Sequence, residues 1–430
     1  MPEFACMKVL LLGSGGREHA IAAKLAQSSR LEKLWIAPGN AGTSQCGENI
    51  PLKPDNFDGI ATFIAENKID LLVVGPEDPL VNGIREFIES RNECASCIIV
   101  GPGKEGAQLE GSKDFSKKFM MRHNIPTARY ASFNSSGLEA AKDYLKTIPS
   151  PYVLKASGLA AGKGVVILDS LEEAEKELKE MMGGKFGNAG NVVVIEEFMK
   201  GIECSVFVLS DGKNYLLLPE AKDYKRIGDG DTGLNTGGMG AVSPVPFCDA
   251  LFMEKIRSRI IEPTVQGLRA ENINYSGFIF IGIMNVGGDP FVVEYNCRMG
   301  DPETEVVIPR VENDLIDLFE ALGKQELHKH EIKHSEKTAV TVVTVSGGYP
   351  GNYEKGQTIS GLIEVDKTQV YHAGTALSNG NIVTSGGRVL AFTSLATTLE
   401  EAVKQSYQNI SKICYEGIYF RKDIGKDLQN

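Results

Sequence analysis

The chain has no apolar run long enough to cross a bilayer. Its longest, such as Val9-Leu10-Leu11-Leu12 and Val192-Val193-Val194-Ile195, fall far short of the ~18 residues a spanning helix needs. Met1 to Cys6 carries neither a basic n-region nor an apolar h-region, so no leader peptide is expected, and the cytoplasm is the expected location. An excess of basic charge is missing too. Lys and Arg number 45 against 56 Asp and Glu, a formal net charge of −11, which disfavours nucleic acid or an anionic membrane as the main partner and makes any anion site a local one. Nor are the cysteines paired: eight are scattered along the chain, and Cys94-Ala95-Ser96-Cys97 has no second pair or His pair near it. Reduced thiols fit better than a zinc site or a disulfide framework. The chain shows no internal repeat and no low-complexity tract.

What is present is length and alternation. At 430 residues the chain exceeds one compact core, and a prior of about 150 residues per domain suggests two to four domains. From Met7 to about Pro102, short apolar strands (Lys8-Leu12, Lys33-Ala37, Asp70-Val74, Ile98-Val100) alternate with helices from about His19 and near Phe57-Asn67. This predicts a βαβ series and a parallel sheet. The next stretch mixes a helix near Ser112-Arg122 with strands at Tyr152-Lys155, Val165-Leu168, Val192-Ile195, Cys204-Leu209, Phe278-Asn285 and Phe291-Asn296, an α+β body with antiparallel character. After about Leu327, Thr338-Val345 alternates with period two and a helix follows near Leu399-Ile413, predicting a third, β-rich module. The expected units are residues 7–108, 109–330 and 331–430.

Gly13-Ser14-Gly15-Gly16 ends the first strand and opens a helix. A glycine turn there can cradle a phosphate. The dinucleotide fingerprint nevertheless fails, because its third glycine falls at Glu18 and strand two ends in Ala37-Pro38 where a ribose-binding acid belongs,. A single phosphate with Glu18 and Asn40 meeting sugar hydroxyls or an amine is the reading preferred to a purely structural turn, since strands two and three also end in Gly-rich loops. Gly158-Leu159-Ala160-Ala161-Gly162-Lys163-Gly164 is no P-loop either: Ser157 stands where that motif needs Gly, Gly164 where it needs Ser or Thr, and strand formers follow,. A glycine flap over a triphosphate, with Lys155 ending the preceding strand, fits; so does a plain glycine hairpin. Ile195-Glu196-Glu197-Phe198 and Gly201-Ile202-Glu203 form a connector able to meet an adenine edge and ribose hydroxyls. Residues 223–240, rich in Gly and Asp, read as a long structureless loop and do not satisfy an EF-hand,.

Val293 to Glu303 carries the densest chemistry. Strand alternation puts Glu294, Asn296 and Arg298 on one face and Val293, Tyr295 and Cys297 on the other,. Two hard oxygen ligands and a guanidinium suit Mg²⁺, phosphate oxygens and a small carboxylate, although a solvated polar face is the plainer reading of that pattern taken alone. Asp301 is placed to cap a helix starting at Pro302.

Taken together, the lysine-ended strand, glycine flap, E-E-F connector and E-x-N strand resemble the ATP-grasp superfamily, and within it the phosphoribosylamine-glycine ligase family. The likeness runs from about Met7 to Gly425. It is carried by Gly13 to Ala20, Ala37 to Thr43, Val74 to Glu77, Leu109 to Lys113, Gly158 to Gly164, Asn235 to Ala241, Asn296 to Glu303, Gly347 to Gly351, His372 to Thr375 and Arg421 to Gly425.

The resemblance implies ATP-dependent joining of glycine to 5-phosphoribosylamine in purine synthesis through a glycyl phosphate. It implies an ATP-grasp body with a mobile lid over about residues 126–199, and a monomer rather than an oligomer. By the same likeness Glu294 and Asn296 hold Mg²⁺ or Mn²⁺. Lys113, Lys155, Gly162, Lys163, Glu196, Glu197, Phe198 and Glu203 serve ATP. Gly15, Glu18, Asn40, Glu77, Asp223, Gly238, Arg298 and Asp301 serve the other substrates, with Arg298 and Lys155 closest to the chemistry. Tyr224, Lys222, Leu234 and Met299 depart from the family's usual His, Gln, Pro and Phe, the first two within the expected glycine loop, and no acid on Phe278-Met284 supplies a second metal ligand. Two alternatives stay open: a related ligase with another carboxylate or phosphosugar, and a non-catalytic nucleotide or phosphosugar sensor.

Overall fold

A computed structural model describes residues 6–160 and 164–429. Its first unit is a five-stranded parallel sheet of β1 (Met7–Gly13), β2 (Leu31–Pro38), β3 (Glu48–Asn49), β4 (Leu71–Val74) and β5 (Ile98–Val100), in the order β3-β2-β1-β4-β5. Both faces are covered, which is why the strands read as continuous apolar runs: Leu10, Leu12 and Leu72 pack with Ile60 and Ile64 on one side, and Val9, Leu11 and Val73 with Ile21 and Leu25 on the other,. The order reverses between β1 and β4, the place where ligands enter open α/β sheets. Helix α1 (Gly16–Leu25) starts there.

The body holds two antiparallel sheets of four strands each. In one, strand Ile202–Ser210 pairs along its whole length with Gly277–Val286, which pairs in turn with Asp289–Asn296. The other, spanning Tyr130–Asn134, Val192–Glu197, Tyr152–Ala156 and Val165–Leu168, has its own core of Leu145, Leu154, Leu178, Val193 and Ile195. The β-rich unit is organised differently from expectation. Its five-stranded sheet takes Lys222–Asp223 and Gly240–Ser243 alongside Thr338–Val345, Arg388–Ala396 and Gln369–His372, so it is not confined to the chain after residue 331. The segment 223–240 is not structureless either, because Arg226–Gly228 and Thr232–Asn235 form a small hairpin within it. No helix among the described residues is long and apolar enough to cross a membrane.

Two further expectations are corrected. Val293 does not share a face with Tyr295: Glu294 pairs with Gly282 while Val292 pairs with Ile283, leaving Val293 as the extra residue of a β-bulge,. Val292 and Tyr295 therefore enter the same core cluster. Asp301 does not cap a helix at Pro302, since the helix begins at Thr304 with Glu303 in the cap position. The Asp301 carboxylate is instead 3.0 Å from Arg388 Nη1.

The first and third units meet at two buried histidines. The His372 N–H donates to His19 Nδ1 (2.8 Å), and the His372 carbonyl accepts from Asn40 Nδ2 (2.7 Å). Burial, reinforced by His372, drives His19 down to about 3, and burial drives His372 to about 4. Below the ordinary imidazole value of about 6.5 the unfolded chain takes up protons that the folded chain refuses, so stability is full above that pH and falls beneath it. Urea unfolding at pH 7.5 and pH 5 is expected to show a loss of up to about 2 kcal/mol per histidine. The loss should shrink in His372→Asn; an unchanged slope in that variant would remove this assignment.

Candidate functional site

A cavity of about 180 Å³ lies where the body's sheets meet helix Lys113–Arg122, and Lys113, Lys155, Glu196, Glu294, Asn296 and Arg298 all line it. Ser112 starts that helix, its hydroxyl accepting from the Phe115 N–H (3.2 Å),. This sets Lys113 and Lys117 one turn apart on the same face. Glu196 Oε2 lies 3.0 Å from Lys155 Nζ and 3.2 Å from Lys117 Nζ. Lys117 also donates to Thr127 Oγ1 (2.7 Å), and Lys155 to the carbonyl of Val293 (3.2 Å), the bulged residue. Glu196 is 2% exposed and its Oε1 has no partner among the described residues. Burial pushes the Lys117 ammonium down to about 8 even with Glu196 opposing it, and burial also lowers Lys113 while Glu294 pulls the other way.

Glu294 makes no hydrogen bond to another described residue, and Asn296 stands two positions along the same strand. With its amide turned so that Nδ2 donates to the Tyr295 carbonyl (2.9 Å), Asn296 Oδ1 accepts from Arg298 (3.3 Å). A carboxylate without a hydrogen-bond partner and a neutral amide oxygen are hard donors that fit Mg²⁺ or Mn²⁺. Arg298 itself is held from two sides: Nη2 donates to Glu110 Oε1 (2.5 Å), Nη1 to the Met299 carbonyl (3.2 Å), and Nε lies 3.3 Å from Glu77 Oε2. Burial works to raise Glu77, but Arg298 and Arg17 hold it below the usual carboxylate range, whereas burial prevails at Glu110 and raises it.

At the mouth of the parallel sheet, Glu18 is folded back on its own helix. Its Oε2 accepts from the Gly15 N–H (2.6 Å) and its Oε1 from Arg17 Nε (2.7 Å). The same side chain fills the crevice between β1 and β4: a Cβ on Gly13 or Gly75 would come within 2.6 Å of Glu18 Cγ. Asn40 is also fully engaged. Its Oδ1 accepts from the N–H groups of Gly42 and Thr43 and its Nδ2 donates to the carbonyls of Ser14 and His372. Both residues order the loops at the sheet mouth through these bonds.

A second charged cluster lies around Asp223. Asp223, Glu203 and Glu294 together overcome the burial of Lys225 and hold its ammonium well above its usual value. Lys225 pairs directly with Glu203, whose carboxyl it draws down. Burial and Glu203 raise Asp223, and burial with Asp223 lifts Glu303 to about 7. Gly238, at φ 114°, packs so closely on the Asp301-Pro302 turn that a Cβ there would meet Pro302 at 2.3 Å,. Glu197 and Phe198 lie toward the outside: Glu197 pairs with Arg129 (2.7 Å), and Phe198 is exposed. Gly162 and Lys163 lie outside the described residues.

Residues 7–110 match the phosphoribosylglycinamide synthetase N domain, residues 111–304 its ATP-grasp (A) domain and residues 339–427 its C domain. The chain belongs to the phosphoribosylglycinamide synthetase family. It is 46% identical over 426 residues to the phosphoribosylamine–glycine ligase of Pseudomonas aeruginosa, covering 97% of each chain. With the same enzyme of Clostridium acetobutylicum it shares 45% identity over 422 residues, covering 98% of this chain and 100% of the relative. The crystal structure of phosphoribosylamine–glycine ligase from Thermotoga maritima superposes with a TM-score of 0.84 at 36% identity, covering 97% of this chain and 100% of that one. The biotin carboxylase domain of Hydrogenobacter thermophilus 2-oxoglutarate carboxylase, solved with MgADP, shares the fold at 17% identity and a TM-score of 0.71, covering 99% of this chain and 98% of that one.

Within this synthetase family frame, the departures at Tyr224 and Lys222 have a plain explanation. Strand alternation turns both away from Asp223 and toward the chain's end, where Tyr224 Oη donates to Asp427 (2.5 Å) and Lys222 Nζ lies 2.9 Å from the same carboxylate,. Leu234 is exposed on the small hairpin and Met299 is buried in the core shared by the first unit and the body. Sequence reasoning missed Lys117, Glu110, Arg17, Lys225, Glu303 and Arg388. Lys117 was detectable as the i+4 partner of Lys113; the others depend on tertiary contacts with no local pattern.

Glu196 is the counter-charge for two buried ammonium groups, so Glu196→Gln should cost about 3 kcal/mol of stability, the usual penalty for breaking a buried pair. Denaturant titration of wild type and variant checks this, and a loss below ~1 kcal/mol would mean the pairs are effectively solvated.

Proposed function

We propose that the protein joins glycine to 5-phosphoribosylamine at the expense of ATP, giving glycinamide ribonucleotide, ADP and phosphate, the activity for which its relatives are named. The observation that carries this reading is one cavity bringing together two lysines, the Glu294/Asn296 pair and Arg298, with Arg298 and Arg17, just past the glycine turn, donating to the same Met299 carbonyl. In this reading Lys113 and Lys155 neutralise the ATP phosphates as point charges. Glu294 and Asn296 would hold a divalent cation, which would supply charge neutralisation to the phosphates. The γ-phosphoryl group passes to a glycine carboxylate oxygen, forming glycyl phosphate and ADP. The amine of phosphoribosylamine then attacks the glycyl carbonyl, its proton is lost and inorganic phosphate leaves.

Arg298 and Asp223 are the proposed holders of the glycine zwitterion, guanidinium for carboxylate and carboxylate for ammonium. Glu196 to Phe198 and Glu203 flank the nucleotide. Glu77, Asp301 and the backbone at Gly15 and Gly238 shape the sugar and acceptor side, while Glu18 and Asn40 act by fixing the loops rather than by free polar atoms. The unit over about 126–199 serves as the lid and the N-terminal sheet within 7–108 receives phosphoribosylamine. Because no side-chain nucleophile takes part, positioning and charge neutralisation supply the acceleration. A monomer is the proposed assembly state.

The test measures ADP release with ATP, Mg²⁺, glycine and freshly generated phosphoribosylamine, omitting each in turn. Release should collapse on every omission; equal release without glycine or without phosphoribosylamine refutes the reading and favours a different ligase or a bare ATPase. Glu294→Gln removes charge at similar volume and should cut metal-dependent turnover by about 100-fold or more with little change in stability. Unaltered turnover at limiting Mg²⁺ would exclude Glu294 as a ligand.

A further inference from the structure

Asp223 belongs to the shortest strand of its sheet. Lys222–Asp223 lies at the edge and pairs only with Gly240–Ser243, Lys222 opposite Val242 and Asp223 opposite Ala241. Just beyond it the Tyr224 N–H donates to the Gly240 carbonyl (3.0 Å) and the Tyr224 carbonyl accepts from the Met239 N–H (2.7 Å). So short an edge strand has one neighbour and few backbone hydrogen bonds to hold it. The Asp223 carboxylate makes no hydrogen bond to another described residue, so its direction follows from the backbone on either side.

Both neighbours of Asp223 are gripped from far along the chain. Tyr224 is 2% exposed, and its Oη donates to Asp427 Oδ1 (2.5 Å) and accepts from the Gly425 N–H (3.0 Å). Lys222 Nζ lies 2.9 Å from Asp427 Oδ2 and 3.8 Å from the centre of the Tyr224 ring. Each oxygen of one carboxylate thus takes one neighbour. Burial works to raise Asp427, but Lys222 and Tyr224 hold it below the usual carboxylate range. The short helix Lys426–Leu428 that carries Asp427 is tied down in turn. Leu428 packs against the core of the β-rich unit, and the buried Arg421 pairs with Asp423 (2.7 Å) and with Asp231 (2.6 Å) in the turn of the small hairpin that follows Asp223.

We propose that Asp427 is a positioning residue for glycine: by holding Lys222 and Tyr224 on one face of the strand, it fixes the direction in which Asp223 presents its carboxylate to the glycine ammonium on the other. This rests on the ligase reading, in which Asp223 receives that ammonium, and it adds residues 421–428 of the β-rich unit to the support of the glycine site. Asp427 acts through the backbone and does not touch the substrate. A misplacement of about 1 Å in a group that orients a substrate costs large factors in rate, and without this clasp the edge strand has a single partner to prevent it. The Asp427 side chain is 49% exposed, so its ion pair adds little to overall stability and placement can be told apart from folding.

ADP release by the full-length protein tests this, with glycine varied at saturating ATP and phosphoribosylamine and then ATP varied at saturating glycine. Asp427→Ala should raise the KM for glycine about tenfold, leave that for ATP within about twofold and unfold near the wild-type temperature. Asp427→Asn keeps an acceptor for Tyr224 but no charge for Lys222 and should fall between; Asp427→Glu restores the charge and should recover part of the loss. Tyr224→Phe should add less to Asp427→Ala than it does alone, because the two act through one contact. A wild-type glycine KM in Asp427→Ala overturns the proposal, as do equal rises in both KM values, which mark general loosening. If the alanine variant unfolds early, the asparagine variant, of nearly unchanged volume, decides by the same criteria. Asp223→Ala separates the two levels. A raised glycine KM there beside a wild-type value in Asp427→Ala sinks the positioning role alone, whereas an unaltered value in Asp223→Ala removes the role of Asp223 and the proposal with it. Neither result touches the ligase reading itself, which fails on wild-type release that ignores glycine or phosphoribosylamine.

Discussion

One guanidinium joins the parts of this molecule that must act together. Arg298 follows the strand that bears Glu294 and Asn296, and it is held by Glu77 from the end of β4 and by Glu110 from the short helix leading into Lys113. A buried charge is tolerated only when opposite charge and hydrogen bonds compensate it. The strand end, the parallel sheet and the start of the lysine-bearing helix are therefore not independent. Removing either of these carboxylates leaves less compensation for a charge in the interior, so Lys113, Lys155 and the Glu294/Asn296 pair are held in place relative to the sheet mouth. Specific geometry at the site follows from this mutual dependence.

Glu196 plays the complementary part beside Lys117 and Lys155. Two ammonium groups face one carboxylate oxygen, and the other oxygen is buried without a partner. That imbalance is costly in the protein alone, because an orphaned acceptor in the interior forfeits its hydrogen bond. A ligand that offers a donor to Glu196 and negative oxygens to the lysines relieves both deficits at once. The cavity is thus built with unmet demands of opposite kind, which is what the proposed nucleotide site requires.

The backbone architecture was largely legible in the sequence, and the reason is periodicity. Strands Ile98–Val100, Val165–Leu168 and Thr338–Val345 and helix Phe57–Asn67 fall where the apolar pattern put them,. That Lys155 ends one strand and that Glu294 and Asn296 share a face of another was legible for the same reason, since strand ends and alternation are local properties; that these strands meet was implied only by the family resemblance. What escaped depended on the partner rather than on the segment. The bulge at Val293 exists because of how Asp289–Asn296 registers against Gly277–Val286, and no pattern within the strand announces it. The insertion of Lys222–Asp223 and Gly240–Ser243 into the last sheet is likewise a pairing with residues about a hundred positions away. Asp301 was read as a cap from local rules, yet a guanidinium from a distant strand claims its carboxylate.

The charge arrangement around Asp223 bears on the proposed holding of a small zwitterion. Lys225 is hemmed in by Glu203, Asp223 and Glu294, so it cannot serve as an independent anion receptor. Its effect is to cancel part of the acidic charge of Glu203, Asp223 and Glu294. Arg298 is similarly hemmed in by Glu77 and Glu110. A substrate bearing only a carboxylate would find that guanidinium already neutralised, and one bearing only an amine would find Asp223 partly satisfied by Lys225. In the proposed reading, a molecule with both charges would meet Asp223 with one and Arg298 with the other and leave the net buried charge unchanged. Ligands that add a net charge must alter a buried, nearly balanced set, which costs more in a low-dielectric interior than at the surface. Selection for a compact amino acid can therefore arise from electrostatic balance as well as from the size of the pocket.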